Sequence, residues 1–156
     1  MSVAFRRESD EEHLEPRPEL PIPPGPNLVT ARGLSLIEAQ VKELEAALAA
    51  EKDEEAIKAI RRKLRYWHAR RATARITPPP TGDEVSFGSR VRFRMGKGPV
   101  RTVDIVGEDE AEPEAGRLSF TAPLARALIG AGTGDLVDFG GRPEAIEILS
   151  VGPIEN

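Results

Sequence analysis

From Leu34 onward, large apolar side chains recur at Leu34, Ile37, Val41, Leu44 and Leu48, in steps of three and four. That spacing draws one narrow stripe along an α-helix, the seam of a coiled coil. Thr30 is suited to cap its start. A second run repeats the spacing at Ile57, Ile60, Leu64, Trp67, Arg71 and Ala74. Folded back on the first, it pairs Leu48 with Ile57, Leu44 with Ile60, Val41 with Leu64 and Ile37 with Trp67. All four pairs share a centre near Lys52 and Asp53, so one turn there satisfies them together. An antiparallel helical hairpin over residues 28–76 is expected. Helices this short are marginal alone, and each buried seam residue contributes roughly 1.5–3 kcal/mol at most.

The flanking segments have other patterns. Residues 1–27 are acidic and then broken by Pro16, Pro18, Pro21, Pro23, Pro24 and Pro26. Proline lacks a backbone donor, so a disordered, solvated tail is expected, with Leu20 and Ile22 available as an extended strap. Residues 77–83, with Pro78, Pro79 and Pro80, form a stiff linker. From Glu84 the period changes to two: Val85, Phe87, Val91 and Phe93 alternate with polar residues, as in a strand kinked at Gly88 and Ser89. Further strands are expected at Val100–Val106, Arg117–Phe120, Leu136–Phe139 and Ala145–Val151. Pro123 opens a short helix, with Thr121 or Ala122 as cap and Gly130 at its end. Residues 84–156 thus form a mostly antiparallel sheet on one short helix, and the whole chain is α+β.

Charge adds three candidate sites. The net charge of -4 conceals a basic segment, Lys52 to Ile76, with nine Lys/Arg against three acids. Arg61, Arg62, Arg65, Arg70 and Arg71 make the outer face of the second helix a candidate nucleic-acid surface, or else a solvated one. At the turn, Asp53, Glu54 and Glu55 either complement the helix dipole or offer oxygen ligands to a hard divalent ion. The acidic loop Glu108 to Glu112 stands next to the small and apolar start of the short helix. There is no cysteine, and the two histidines are far apart, so no stably bound metal and no cofactor are expected. No apolar run approaches the roughly 20 residues of a membrane span. The N-terminus lacks a signal-peptide core. A cytoplasmic protein without membrane contact is expected. No nucleophile–base pair appears, so an enzyme in its own right is not expected.

The segment from Ile105 to Asp135 carries a resemblance. Ile105-Val106-Gly107, Asp109-Glu110-Ala111-Glu112-Pro113, Gly116-Arg117-Leu118-Ser119-Phe120, Ala122-Pro123-Leu124, Ala127-Leu128-Ile129-Gly130 and Gly134-Asp135 follow one another. Their order resembles the C-terminal domain of the bacterial Gre transcription elongation factors, GreA and GreB. Thr30-Ala31-Arg32-Gly33 resembles the start of that family's coiled-coil hairpin. The resemblance implies an FKBP-like domain that binds RNA polymerase at the rim of its secondary channel, against a helical hairpin of the largest subunit. Asp109, Glu110, Thr121, Ala122, Pro123 and Leu124 match the docking region. In the family, tip carboxylates help hold magnesium for cleavage of backtracked RNA. Here only Asp53, Glu54 and Glu55 could do so, on shorter arms. A channel-occupying regulator without cleavage stimulation, similar to the regulator of nucleoside diphosphate kinase (Rnk), is the alternative. An Arg-rich nucleic-acid-binding protein is another. A monomer is expected, with RNA or DNA contact inside the complex. Prolyl isomerase activity is not expected, because Tyr66 and Trp67 lie in the hairpin rather than in the FKBP-like domain.

Overall fold

In the computed structural model residues 19–155 are described, so most of the expected acidic tail lies outside the described residues. Strand β1 (Leu28–Val29) leads into helix α1 (Ala31–Ala50), and α2 (Glu54–Thr73) returns to β2 (Arg75–Ile76). The two short strands pair in parallel, Leu28 with Arg75 and Val29 with Ile76, and close the base of the hairpin. Each helix has a side-chain cap. The Thr30 hydroxyl accepts from the Gly33 N–H, and the Asp53 carboxylate accepts from the Ala56 N–H. Seam burial is uneven: Ile37, Val41 and Leu64 are buried, while Leu44, Leu48, Ile57, Ile60 and Trp67 are half-buried. Two helices cover each other on one side only, so full burial is confined to the basal half of the seam.

The sheet comprises β3 (Ser89–Met95), β4 (Val100–Val106), β5 (Arg117–Ser119), β6 (Leu136–Phe139) and β7 (Arg142–Pro153), in the order β5-β4-β3-β7-β6. In β3, Val91 and Phe93 face the core while Arg90, Arg92 and Arg94 face away, as the period of two requires. Helix α3 (Pro123–Leu128) buries Ala125 and Leu128 against Val103, Ile105, Ile146 and Ile148. The expected α+β architecture, a helical hairpin followed by a β domain with one short helix, is present.

The sheet is mostly antiparallel, as expected, with one parallel pair, and the strand pattern differs from expectation at its start. Strand β5 runs parallel to β4, with Ile105 opposite Leu118, so the sheet is mixed. Val85 and Phe87 are buried as expected, yet the strand starts only at Ser89. The Val85 N–H and C=O bond to Ala131 and Gly130, beyond α3, rather than to a sheet neighbour. Gly88, at φ +88°, then turns the chain into β3. The bulge falls opposite, on β7, where Arg92 pairs with Ser150 and Phe93 with Ile148, leaving Leu149 over.

Candidate functional site

The acidic loop after β4 enters the base of the hairpin instead of facing outward. Gly107 makes the entry possible: a Cβ there would stand 2.3 Å from the Leu28 carbonyl oxygen. The Asp109 carboxylate accepts a hydrogen bond from the Tyr66 hydroxyl and, at 2.6 Å, one from Arg70 Nε. Arg70 Nη2 donates to Asn27 Oδ1 at 2.9 Å, and Asn27 Nδ2 donates to the Arg70 carbonyl at 2.8 Å. Glu108 Oε1 lies 3.8 Å from the same guanidinium. The Arg70 and Asp109 side chains are only 2% and 7% exposed. Burial, and then the bond to Asp109, push the Tyr66 phenol well above its ordinary range, so it remains a donor.

Glu110 holds the other helix. Its Oε1 accepts from the Thr30 hydroxyl at 2.6 Å and its Oε2 from Arg32 Nη1 at 3.0 Å. The carboxylate thus sits at the N-terminal end of α1, where a negative charge is favoured. Gly33 leaves room for it, since a Cβ there would lie 2.9 Å from Oε1. One short loop therefore binds both helices to the sheet through two buried carboxylates.

This geometry bears on two of the expected sites, through Asp109, Glu110 and Arg70. Asp109 and Glu110, expected to face a partner, are engaged inside the molecule. Arg70, expected to face nucleic acid, is buried beneath them because Asp109 and Asn27 supply its partners. Arg61, Arg65 and Arg71 are exposed and Arg62 is half-buried, so the arginine face is narrower than the sequence suggested. Sequence reasoning did not single out Asn27 and Tyr66 as partners of these charges, and it expected Thr30 only as a cap, not as a donor to Glu110. The one available signal was that Tyr66 and Arg70 are four apart and off the seam, a spacing that stacks them on a single side of α2.

The surface at the start of α3 is open. Thr121 and Pro123 are exposed, and Ala122 and Leu124 are half-buried. The acid beside it is Glu108, whose Oε2 accepts from the Thr121 hydroxyl at 3.2 Å. Glu108 thus touches both this surface and Arg70. At the far end of the hairpin, Asp53, Glu54 and Glu55 are exposed. With 20 residues in each helix, the arms reach about 30 Å at 1.5 Å per residue. Among the described residues no three His, Cys, Asp or Glu side chains converge as a metal-binding group. No helix among them is long and apolar enough to cross a membrane.

Fold and site together define a protein that presents a capped helical hairpin from a mixed-sheet domain and locks it there with buried ion pairs. Residues 79–153 match the family model described as transcription elongation factor, GreA/GreB, C-terminal. Residues 79–153 thus form a domain of the Gre C-terminal type. Over 79 residues the chain is 44% identical to transcription elongation factor GreA of Methylococcus capsulatus, covering 49% of this chain and 50% of that protein. Over 98 residues it is 41% identical to GreB of Neisseria meningitidis, covering 59% and 60%. The chain spans about half the length of the first curated relatives it matches. A solved GreA/GreB structure from Nitrosomonas europaea aligns over 83% of this chain and 99% of its own, at 20% identity and a TM-score of 0.40.

Proposed function

We propose that this chain is a Gre-type transcription factor that docks on RNA polymerase at the rim of the secondary channel and regulates elongation by directing its hairpin inward. The observation that carries this reading is the match of residues 79–153 to the GreA/GreB C-terminal domain. The docking surface is the start of α3, where Thr121, Ala122, Pro123 and Leu124 are accessible beside Glu108. It meets a helical hairpin of the largest subunit: the small apolar side chains allow close approach, and the acid orients it. Asp109 and Glu110 act on docking indirectly, by fixing the direction in which the hairpin projects. The protein works as a cytoplasmic monomer, and Arg61, Arg62, Arg65 and Arg71 face nucleic acid or the channel wall within the complex.

Two mechanisms are compatible with docking. In one, Asp53, Glu54 or Glu55 completes a magnesium site in the polymerase and promotes cleavage of backtracked RNA. In the other, the hairpin occupies the channel without stimulating cleavage. At the tip, Asp53 Oδ2 accepts the α2 capping bond, while Glu54 and Glu55 are exposed on arms of about 30 Å. A cleavage assay on backtracked complexes of the cognate polymerase tests both. Stimulation that disappears when Asp53, Glu54 and Glu55 are replaced by Ala supports the first. Inhibition of a genuine Gre factor without stimulation supports the second. If neither effect occurs, the polymerase reading fails, and a steep salt dependence of binding to free DNA then identifies a nucleic-acid-binding protein.

A further inference from the structure

From Ser86 to Val103 the chain carries Arg90, Arg92, Arg94, Lys97 and Arg101 and no acid, although acids outnumber bases thirteen to eight from Thr77 onward. The fold sorts these charges by face. Arg90, Arg92 and Arg94 point away from α3 and the core. Opposite them on the neighbouring strands stand Asp104 and Gly152 for Arg90, Thr102 and Ser150 for Arg92, and Val100 and Glu147 for Arg94. Alternate residues of a strand are about 7 Å apart, so the three guanidinium groups form a regular row on the central strand. Arg90 is paired with Asp104 through bonds of 2.8 and 3.0 Å. Among the described residues no ion pair engages Arg92, Arg94 or Lys97. Arg101 turns to the other face, its guanidinium 5.3 Å from the centre of the Phe93 ring.

At its Arg90 end the row runs into a cleft of about 600 Å³ between the sheet and the base of the hairpin. Arg32 and Arg117 enter this cleft from α1 and β5, and Ile76, Pro78 and Pro79 make an apolar wall. Each of the two arginines bonds a carboxylate through Nη1 alone, Arg32 to Glu110 and Arg117 to Glu112. A guanidinium carries five N–H donors, so both keep donors for a ligand.

We infer that row and cleft together bind single-stranded RNA, with phosphates on Arg92, Arg94 and Lys97 and a terminal nucleotide in the cleft. The spacing of the row is close to the phosphate repeat of an extended polynucleotide, a regularity that an acidic protein surface does not impose. None of the residues opposite the three arginines is aromatic, so phosphate contacts lead and binding tolerates any sequence. In the cleft the guanidinium donors stand beside Asp104 and Glu155. A 2′-hydroxyl is both donor and acceptor and suits that mixture, which favours RNA over DNA. This surface is separate from the arginines of α2 and does not depend on docking to polymerase.

Fluorescence anisotropy of a labelled oligouridylate with the full chain tests the assignment. Arg92→Gln together with Arg94→Gln should weaken binding about tenfold at low salt and lower the salt slope by about 1.4, each single-strand phosphate contact contributing about 0.7. Arg126→Gln together with Arg142→Gln removes the same charge from exposed positions elsewhere and should have little effect. Equal losses in the two variants would mean that net charge alone is responsible and would overturn the site, as would undiminished binding by the first. In an NMR titration the amides of Arg92, Thr102 and Ser150 should shift together with those of Ile76 and Thr77; shifts confined to α2 overturn the proposal. Oligothymidylate of the same length should bind several-fold more weakly, and equal affinity overturns the choice of RNA. Polyglutamate that displaces the RNA at equal charge would make the row a site for an acidic protein, and RNA is then refuted as its ligand.

Discussion

Replacing Asp109 with Ala separates an internal lock from a partner-facing carboxylate. Asp109 is 7% exposed at the side chain and accepts from both Tyr66 and Arg70, itself 2% exposed. Its removal leaves the guanidinium with Asn27 at 2.9 Å and Glu108 at 3.8 Å, and the Tyr66 hydroxyl without its acceptor. Removing one member of a buried pair destabilises by about 3–5 kcal/mol, because the other charge stays buried and uncompensated. Glu108 is near enough to compensate in part, so about 3 kcal/mol is expected here. Urea unfolding of the full chain measures it, with Trp67 fluorescence reporting the hairpin and circular dichroism the whole molecule. Asp109→Leu combined with Arg70→Met should recover much of the loss, since apolar replacement of both partners removes the buried charge altogether. A surface carboxylate would change stability by less than about 0.5 kcal/mol. A loss below about 1 kcal/mol for Asp109→Ala, with weakened polymerase binding, would refute the lock and restore a partner-facing role.

The other expectations concern separate parts of the molecule. Gly107→Ala places a methyl group against the Leu28 backbone oxygen and should lower stability by about 1–3 kcal/mol, read as a lower urea midpoint. Asp53→Ala should lose the α2 cap and about 1 kcal/mol, while Asp53→Ser keeps the cap without the carboxylate. If the Asp53 carboxylate itself acts on magnesium, both variants lose cleavage stimulation; if Asp53 only caps, Asp53→Ser leaves polymerase function unchanged. Pro123→Glu, at an exposed helix start that tolerates an acid, should leave the urea midpoint in place and weaken polymerase binding about tenfold or more. Unchanged binding would move the docking surface elsewhere. The Glu19 carboxyl is held below its ordinary value of 4.5 by Arg65, so the pair persists at neutral pH and is lost only as pH falls through and below that value. Side-chain carboxyl titration by NMR follows it, and an undepressed midpoint would mean that the pair does not form in solution.

Much of this protein is written in local periodicity. Leu34, Ile37, Val41, Leu44 and Leu48, answered by Ile57, Ile60, Leu64 and Trp67, define two helices and one turn, because a seam of period 3.5 has few other ways to be buried. The strands after Gly88 are legible for the same reason, as alternation at period two. What alternation left open was which backbone groups bond to each other. Val85 and Phe87 are core residues in the strand pattern, yet the Val85 backbone pairs with the loop beyond α3. The candidate site was legible in part. Thr121 and Pro123 at the α3 start and Asp53, Glu54 and Glu55 at the hairpin tip are exposed, as their polar surroundings suggested.

Their roles were not legible. In sequence, Asp109 and Glu110 are two acids within an acidic loop, and Arg70 is one arginine in a basic run. Nothing local distinguishes a solvated charge from a buried one. The distinction arises from contacts 39 to 80 residues apart, where Gly107 and Gly33 let the loop approach and Arg70, Tyr66, Thr30 and Arg32 supply its partners. A charge becomes structural when the fold removes its water and provides a counter-charge. The sequence by itself determined the hairpin, the sheet and the type of the C-terminal domain; only the tertiary structure decided which charges hold the two parts together and which remain for a partner.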